Sequence, residues 1–241
     1  IKKIKYMISV CQERFVRFDF RSRCNKGLCA TLNEALNWCN GKFFFALASD
    51  DIAMPHKIER QLHELNKIND PDVVGIFSKI IPFSQTPPQF AQPKIRRSSV
   101  QMYDFLDVFL RRSKLPAPSA LLCLKSVKEI GGYNEKIKIE DFYMWLKLTH
   151  NGKKLIYIDE AVTLYRRHEK NTSKKSELML RGVMDVLEPY SKHPRYTEAV
   201  ACSLLVHAGD LIENQSLGGC AFLIKAIKKY PSLIFSKLFL T

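Results

Sequence analysis

The chain has 241 residues, 46% hydrophobic and 11% aromatic, enough to bury one substantial core with a small helical unit attached. Only 10 Gly and 11 Pro are present, which excludes fibrous and low-complexity classes. Lys and Arg number 38 against 24 Asp and Glu, and the net charge of +14 suits nucleic acid, an anionic membrane surface or phosphorylated substrates.

In chain order, residues 4–10 predict a strand, and the alternation around Phe15, Val16, Phe18 and Phe20 predicts another over 14–20. A turn at Asn25 to Gly27 precedes a helix over 28–40, where Leu32, Ala35, Leu36 and Cys39 share a face and Gly41 offers a C-terminal cap. Residues 42–49, with three consecutive Phe, read as a central parallel strand buried on both faces. A helix follows Pro55 to about residue 69, with Ile58, Leu62, Leu65 and Ile68 on one stripe, and Asp70-Pro71 ends it. Residues 73–81 form the next apolar strand, so strand, helix and strand make a crossover unit. Residues 82–99 are a long Pro-, Gln- and Ser-rich loop of the kind that carries lids or binding segments. A helix over 100–112, an extended stretch LPAPSALLCLK entering a strand, a short helix to 130 and the turn GGYNEKI come next. A helix over 140–151 and short strands over 154–158 and 162–166 complete an α/β part over 1–172. From 173 to 241 the pattern is helical, over 173–188, 195–214 and 217–229. The expected class is α/β, a mostly parallel sheet flanked by helices, with a C-terminal helical tail.

The cations are spread along the chain without zinc-finger spacing, a basic zipper region or an aromatic RNA-binding signature, so no nucleic-acid partner is expected. Seven cysteines, with no C-x-x-C pair, read as reduced thiols acting as small core hydrophobes, as in a cytoplasmic protein. No apolar run reaches the length of a spanning helix and no signal peptide is visible. The first residue, Ile1, predicts a fragment or a processed chain.

Three short stretches could carry chemistry. The strand over 42–49 runs into Asp50 and Asp51, and ligands of α/β sheets bind at the carboxyl ends of strands. Adjacent carboxylates repel unless a cation or donors compensate, and a hard divalent ion that in turn holds a diphosphate does so. The competing reading is a helix cap, with Pro55 in the first turn. Glu140-Asp141, at a helix start after Gly-Gly, suits either the helix dipole or a general base for a hydroxyl. Tyr165 to His168, YRRH, ends a strand; Arg can clamp phosphate and His can bind a metal or donate to phosphate, or the turn is simply solvated.

Taken together, NKGLCATLNEAL, GKFFFALASDDIAMPHKIERQ, LPAPSALL, GGYNEKIKIEDFYMWLKL and LYRRHEKNTS resemble the ordered motifs of family 2 glycosyltransferases with the GT-A, Rossmann-like fold, over roughly residues 20 to 175. The resemblance implies a bacterial surface-polysaccharide type enzyme. It would move a sugar, with inversion, from a nucleotide-diphosphate donor to an acceptor hydroxyl in polysaccharide or lipopolysaccharide synthesis. It implies Asp51 as ligand of Mn2+ or Mg2+ with His168 near the metal, and Asp50 and Arg166 beside the donor. Asp141 becomes the general base with Glu140 next to it, and Asn25, Gly27 and Asn33 lie by the nucleotide. Ala48 stands where many relatives carry Asp, and Leu32 where Arg is frequent. The family's opening strand, its Pro-x-Tyr-Asn-like turn and its DDGS-like strand end have no counterpart, which predicts an N-terminally truncated domain lacking its first strands. The alternative is a truncated or degenerate, non-catalytic copy that binds a nucleotide sugar or a partner. The C-terminal stretch FLIKAIKKYPSLIFSKLF mixes apolar residues with Lys. It suits either peripheral contact at the inner face of the cytoplasmic membrane, near a glycan or lipid-linked acceptor, or a helix packed on the core.

Overall fold

The computed structural model describes residues 2–88, 99–169, 171, 175–213, 216 and 218–236. Most of the loop expected over 82–99, the division expected at 172 and the last residues of the tail lie outside them. The sheet is built on one parallel pair. β3 (Val73–Phe83) and β6 (Lys154–Arg166) run side by side from Val73 opposite Lys154 to Phe83 opposite Arg166, with irregular register around Ser78 to Ile80. β5 (Leu121–Cys123) pairs antiparallel with β3, and β1 (Phe43–Phe44) antiparallel with β5. β2 (Ile52–Ala53) and β4 (Val100–Tyr103) pair antiparallel with β6. The α/β architecture matches expectation, but the pairing is mixed. Among the described residues only β3 and β6, joined through helices that return the chain to the same end of the sheet, are parallel.

Both faces of β3 and β6 are buried, as their near-continuous apolar runs require. On one face α3 (Lys57–Ile68) lays Leu62, Leu65 and Ile68 on Val73, Ile76, Leu121, Ile156 and Ile158. On the other, α6 (Glu140–His150) sets Trp145 edge-on to Phe77, ring centroids 4.6 Å apart. The C-terminal helices α7 (Ser176–Leu187), α8 (Tyr196–Glu213) and α9 (Gly218–Lys229) close over that face, and Val183, Val186, Leu187, Ala201 and Cys202 belong to the same apolar cluster as Phe77 and Trp145. Phe105, Phe109, His150, Tyr190 and His193 fasten the helical part to the sheet part, their ring centroids 5.0 to 5.7 Å apart.

Polar pins hold the other face. Lys57 is 1% exposed, and its Nζ donates to Ser119 O at 2.7 Å and Thr163 Oγ1 at 3.5 Å. Gln61 Nε2 donates to the same Ser119 carbonyl and to Ser78 Oγ. Ser119 Oγ accepts from Ser78 N–H and donates to Pro116 O. The turn LPAPS is thereby tied to α3 and to the middle of β3.

Several local expectations change. Residues 4–10 lie in a helix, α1 (Lys2–Gln12), since Ile4, Met7, Ile8 and Cys11 follow a helical period rather than alternation. Residues 14–20 form no strand because no neighbouring strand supplies backbone partners. The apolar run over 42–49 is a strand only at Phe43–Phe44, at the sheet margin, and Phe45 and Leu47 are 37% and 38% exposed. α2 (Leu28–Trp38) ends at Cys39, before Gly41. Residues 100–112 divide into β4 and a short helix, α4 (Phe105–Phe109), because Asp104 caps α4 in a reciprocal box with Asp107. The two strands expected over 154–166 are one continuous β6.

Candidate functional site

The chain leaves β1 and turns at 48–51, where Asp51 N–H donates to Ala48 O at 3.1 Å. The turn sets Asp50 and Asp51 against the end of β6. Asp51 Oδ1 accepts the Arg166 backbone N–H at 2.9 Å, and Arg166 Nε donates to Asp50 O at 3.1 Å. His168 Nε2 lies 2.9 Å from Asp50 Oδ2. Arg166 also donates through Nη1 to the carbonyls of Ser84 and Gln85 and lies over the Phe83 ring at 4.4 Å. Four of the expected residues thus meet at the carboxyl end of the parallel pair, and the pair of acids is not a helix cap: β2 follows it, and His56 takes the N-cap position of α3.

The two carboxylates differ. The His168 hydrogen bond holds Asp50 below the usual carboxylate range. Burial pushes Asp51 up, and the neighbouring Asp50 charge adds to this, while the Arg166 N–H opposes it. Among the described residues no three His, Cys, Asp or Glu side chains stand together as a metal-holding group. The donors present still fit a hard divalent cation of the type bound by one or two carboxylates, with substrate phosphates and water completing the shell.

A second centre lies at the start of α6. Gly131 and Gly132, at φ 86° and 72°, make the turn that leads to Glu140 and Asp141. Asp141 borders a cavity of about 550 Å³ shared with Lys79, Arg111, Lys114, Tyr157 and Met179. Its Oδ1 accepts the Phe142 N–H at 2.6 Å. Burial raises its pKa, against the opposing pull of that N–H and of the Arg111 charge. Glu140 is pushed up to about 7, first by burial and then by the Asp141 charge.

Asn25 and Gly27 form an exposed turn in which Gly27 N–H donates to Asn25 Oδ1 at 2.8 Å, with Gly27 at φ 91°. Asn33 is occupied differently. Its Nδ2 donates to Tyr133 O and its Oδ1 accepts Tyr133 N–H, both at 2.8 Å, so its amide stitches α2 to the Gly-Gly turn. A Cβ on Gly132 would lie 2.8 Å from Asn33 Oδ1, which is why this turn needs glycine.

Both centres lie on the same half of the sheet. The cavity reaches Ile80 on β3, and Arg166, which holds Asp51, pairs with Phe83. From Ile80 to Phe83 is three strand steps, about 10 Å at ~3.3 Å per residue. Arg111 and Lys114, at and after the end of a segment that reads as one helix over 100–112, and Lys79, inside the apolar run of β3, escape sequence reading. No sequence signal announces the left-handed backbone of Arg111, at φ 59°.

Residues 9–113 match the family described as Glycosyl transferase family 2. An uncharacterized glycosyltransferase of Methanocaldococcus jannaschii is 27% identical over 170 residues, 68% of this chain and 56% of the relative. An Escherichia coli UDP-Gal:alpha-D-GlcNAc-diphosphoundecaprenol beta-1,3-galactosyltransferase is 27% identical over 157 residues, 65% of this chain and 55% of the relative. The chain spans about half the length of these curated relatives. In structure it resembles S. aureus TarS in complex with UDP-GlcNAc, with a TM-score of 0.61 at 13% identity, over 95% of this chain and 68% of that one. At that identity the likeness concerns the fold.

Proposed function

We propose, from the match of residues 9–113 to Glycosyl transferase family 2, that the chain transfers a sugar, with inversion, from a nucleotide-diphosphate donor to an acceptor hydroxyl in cell-surface polysaccharide or lipopolysaccharide synthesis. The observation that carries the proposal is the meeting of Asp50, Asp51, Arg166 and His168, from segments 115 or more positions apart, at one end of the parallel pair. In this reading Asp51, with Asp50 and His168 beside it, holds Mn2+ or Mg2+. Bound there, the ion would neutralise the departing diphosphate. Arg166 fixes the turn that carries both acids. The acceptor enters the cavity beside Asp141. Its oxygen bonds to the anomeric carbon as the bond from that carbon to the diphosphate oxygen breaks, and its proton passes to the Asp141 carboxylate. The products are the glycoside and a nucleoside diphosphate. The basic, partly apolar surface of α9 is proposed to rest on the inner face of the cytoplasmic membrane, close to a lipid-linked acceptor.

The test is nucleotide release from a panel of nucleotide sugars, with and without Mn2+, together with thermal-shift titration by nucleoside diphosphates. Asp51→Asn is expected to lose both metal-dependent nucleotide binding and transfer. Asp141→Asn is expected to keep binding and lose about 10²–10⁴-fold in rate, the usual contribution of a general base. Near-normal turnover by Asp141→Asn would remove that residue from the base role, and silence towards every nucleotide with metal present would end the donor reading.

A further inference from the structure

α4 ends in a six-residue closing motif: Arg112 N–H donates to Asp107 O and Arg111 N–H to Val108 O. This pattern places Arg111 in the left-handed slot after the helix, at φ 59°. That slot favours Gly, or failing that Asn, because a larger side chain crowds the backbone. The other non-glycine residue at positive φ among those described, Asn69 at the end of α3, is of the favoured type. An arginine there needs a reason beyond the cap.

The side chain supplies one. The Arg111 guanidinium lies 4.4 Å over the ring of Phe142, whose own N–H holds Asp141 Oδ1. Arg111 and Asp141 border the same cavity. Its charge acts on Asp141 and on Asp210 of α8. Taking Asp141 as the base proposed above, we infer that Arg111 is a positioning residue that keeps the Asp141 carboxylate charged inside the cavity.

The groups around Asp141 leave this task to Arg111. Glu140 on its own helix and Tyr133 in the preceding turn add no positive charge. Lys79 of β3 borders the cavity but lies 3.9 Å from Asp159, and Tyr157 of β6 is a neutral phenol. Lys114 stands at the cavity wall, and α7 and α8 contribute Met179, Val183 and Val206 there. Burial alone works against an ionised Asp141, and the guanidinium opposes it.

The experiment follows the Asp141 carboxyl by carbon NMR in the full chain, with its resonance assigned through Asp141→Asn, alongside pH–rate profiles for transfer. Arg111→Gly suits the backbone slot better than arginine does, so it retains the fold while deleting the charge. It is expected to raise the Asp141 midpoint by about one pH unit or more. The acid limb of kcat/KM should move up with it, costing about tenfold in rate per unit on that limb. Arg111→Lys should restore most of the shift. A midpoint that Arg111→Gly leaves in place overturns the inference. A midpoint that moves while the acid limb stays put sustains the link between Arg111 and Asp141 and instead removes Asp141 from the base role.

Discussion

Lys57 is a charge-bearing group held by the neutral oxygens of Ser119 and Thr163. Burial lowers its pKa to about 7. In the unfolded chain a lysine titrates near 10.4. A depressed lysine pKa means that folding disfavours the protonated form, so its cost is fully present below pH ~7. Between about 7 and 10.4 the unfolded chain holds the proton and the folded chain releases it, and stability therefore rises with pH. The full span is worth about 5 kcal/mol at most. Lys57→Met removes the titration yet leaves Ser119 O paired with Gln61 and Thr163 Oγ1 with Pro118 O. Urea denaturation from pH 7 to 10 is expected to show the methionine variant gaining most on the native chain near pH 7, the gap closing towards pH 10. A gap independent of pH would mean that Lys57 carries its proton throughout. At this scale the sequence exposes some residues and hides others. Asp50, Asp51, Arg166 and His168 can be read from the ordered motif series, since each short stretch alone also suits a helix cap or a solvated turn. The ordered motif series marks Gln61 but not its purpose, which is to pin LPAPS to β3. Arg111 is hidden because its role depends on a backbone angle.

Helix α7 meets the start of α6 at one point of close approach. A Cβ on Gly182 would collide with Ile139 Cγ1, and Ile139 immediately precedes Glu140 and Asp141. Ile139 and Val183 also border the cavity. Gly182→Ala gains helix propensity but overpacks this contact, and overpacking typically costs about 1–3 kcal/mol. The expected result is a lower melting temperature together with a changed KM for acceptor and an unchanged KM for donor, since the acids proposed to hold the donor diphosphate lie at the other centre. A melting temperature equal to that of the native chain would show that α7 shifts freely and does not shape the cavity. Elements of this kind are legible where a long apolar stripe of period 3.6 meets a stop signal, as in α2, α3, α6 and α7 to α9. They fail where tertiary pairing decides. Val100–Tyr103 joins a helical-looking segment but is taken up as a strand by β6. Phe45 and Leu47 look like the interior of a strand, yet lie at the sheet margin, where only β5 pairs with β1.

Across the whole molecule, the cations behind the net charge of +14 are spread along the sequence, and one region sets them among exposed apolar groups. On α9 the buried side is Gly219 and Ala226, with Leu233 buried just beyond the helix. Ile224, Ile234 and Phe235 are 53%, 38% and 83% exposed, and Lys225, Lys228 and Lys229 lie among them. No described helix is long and apolar enough to cross a membrane, and the contact proposed for α9 is one along a membrane surface. Each Lys near an anionic leaflet contributes about 1 kcal/mol, falling off within a Debye length. Replacing Lys228 and Lys229 by Gln is therefore expected to weaken flotation with phosphatidylserine vesicles about thirtyfold at low salt, with Phe235→Ser weakening it further. Neutral phosphatidylcholine vesicles should retain little of the native chain, and added salt should release what the anionic vesicles hold. If the double Gln variant floats as well as the native chain, the diffuse charge of the rest of the molecule is what holds it. In that case α9 is an ordinary packing helix with a solvated Lys face.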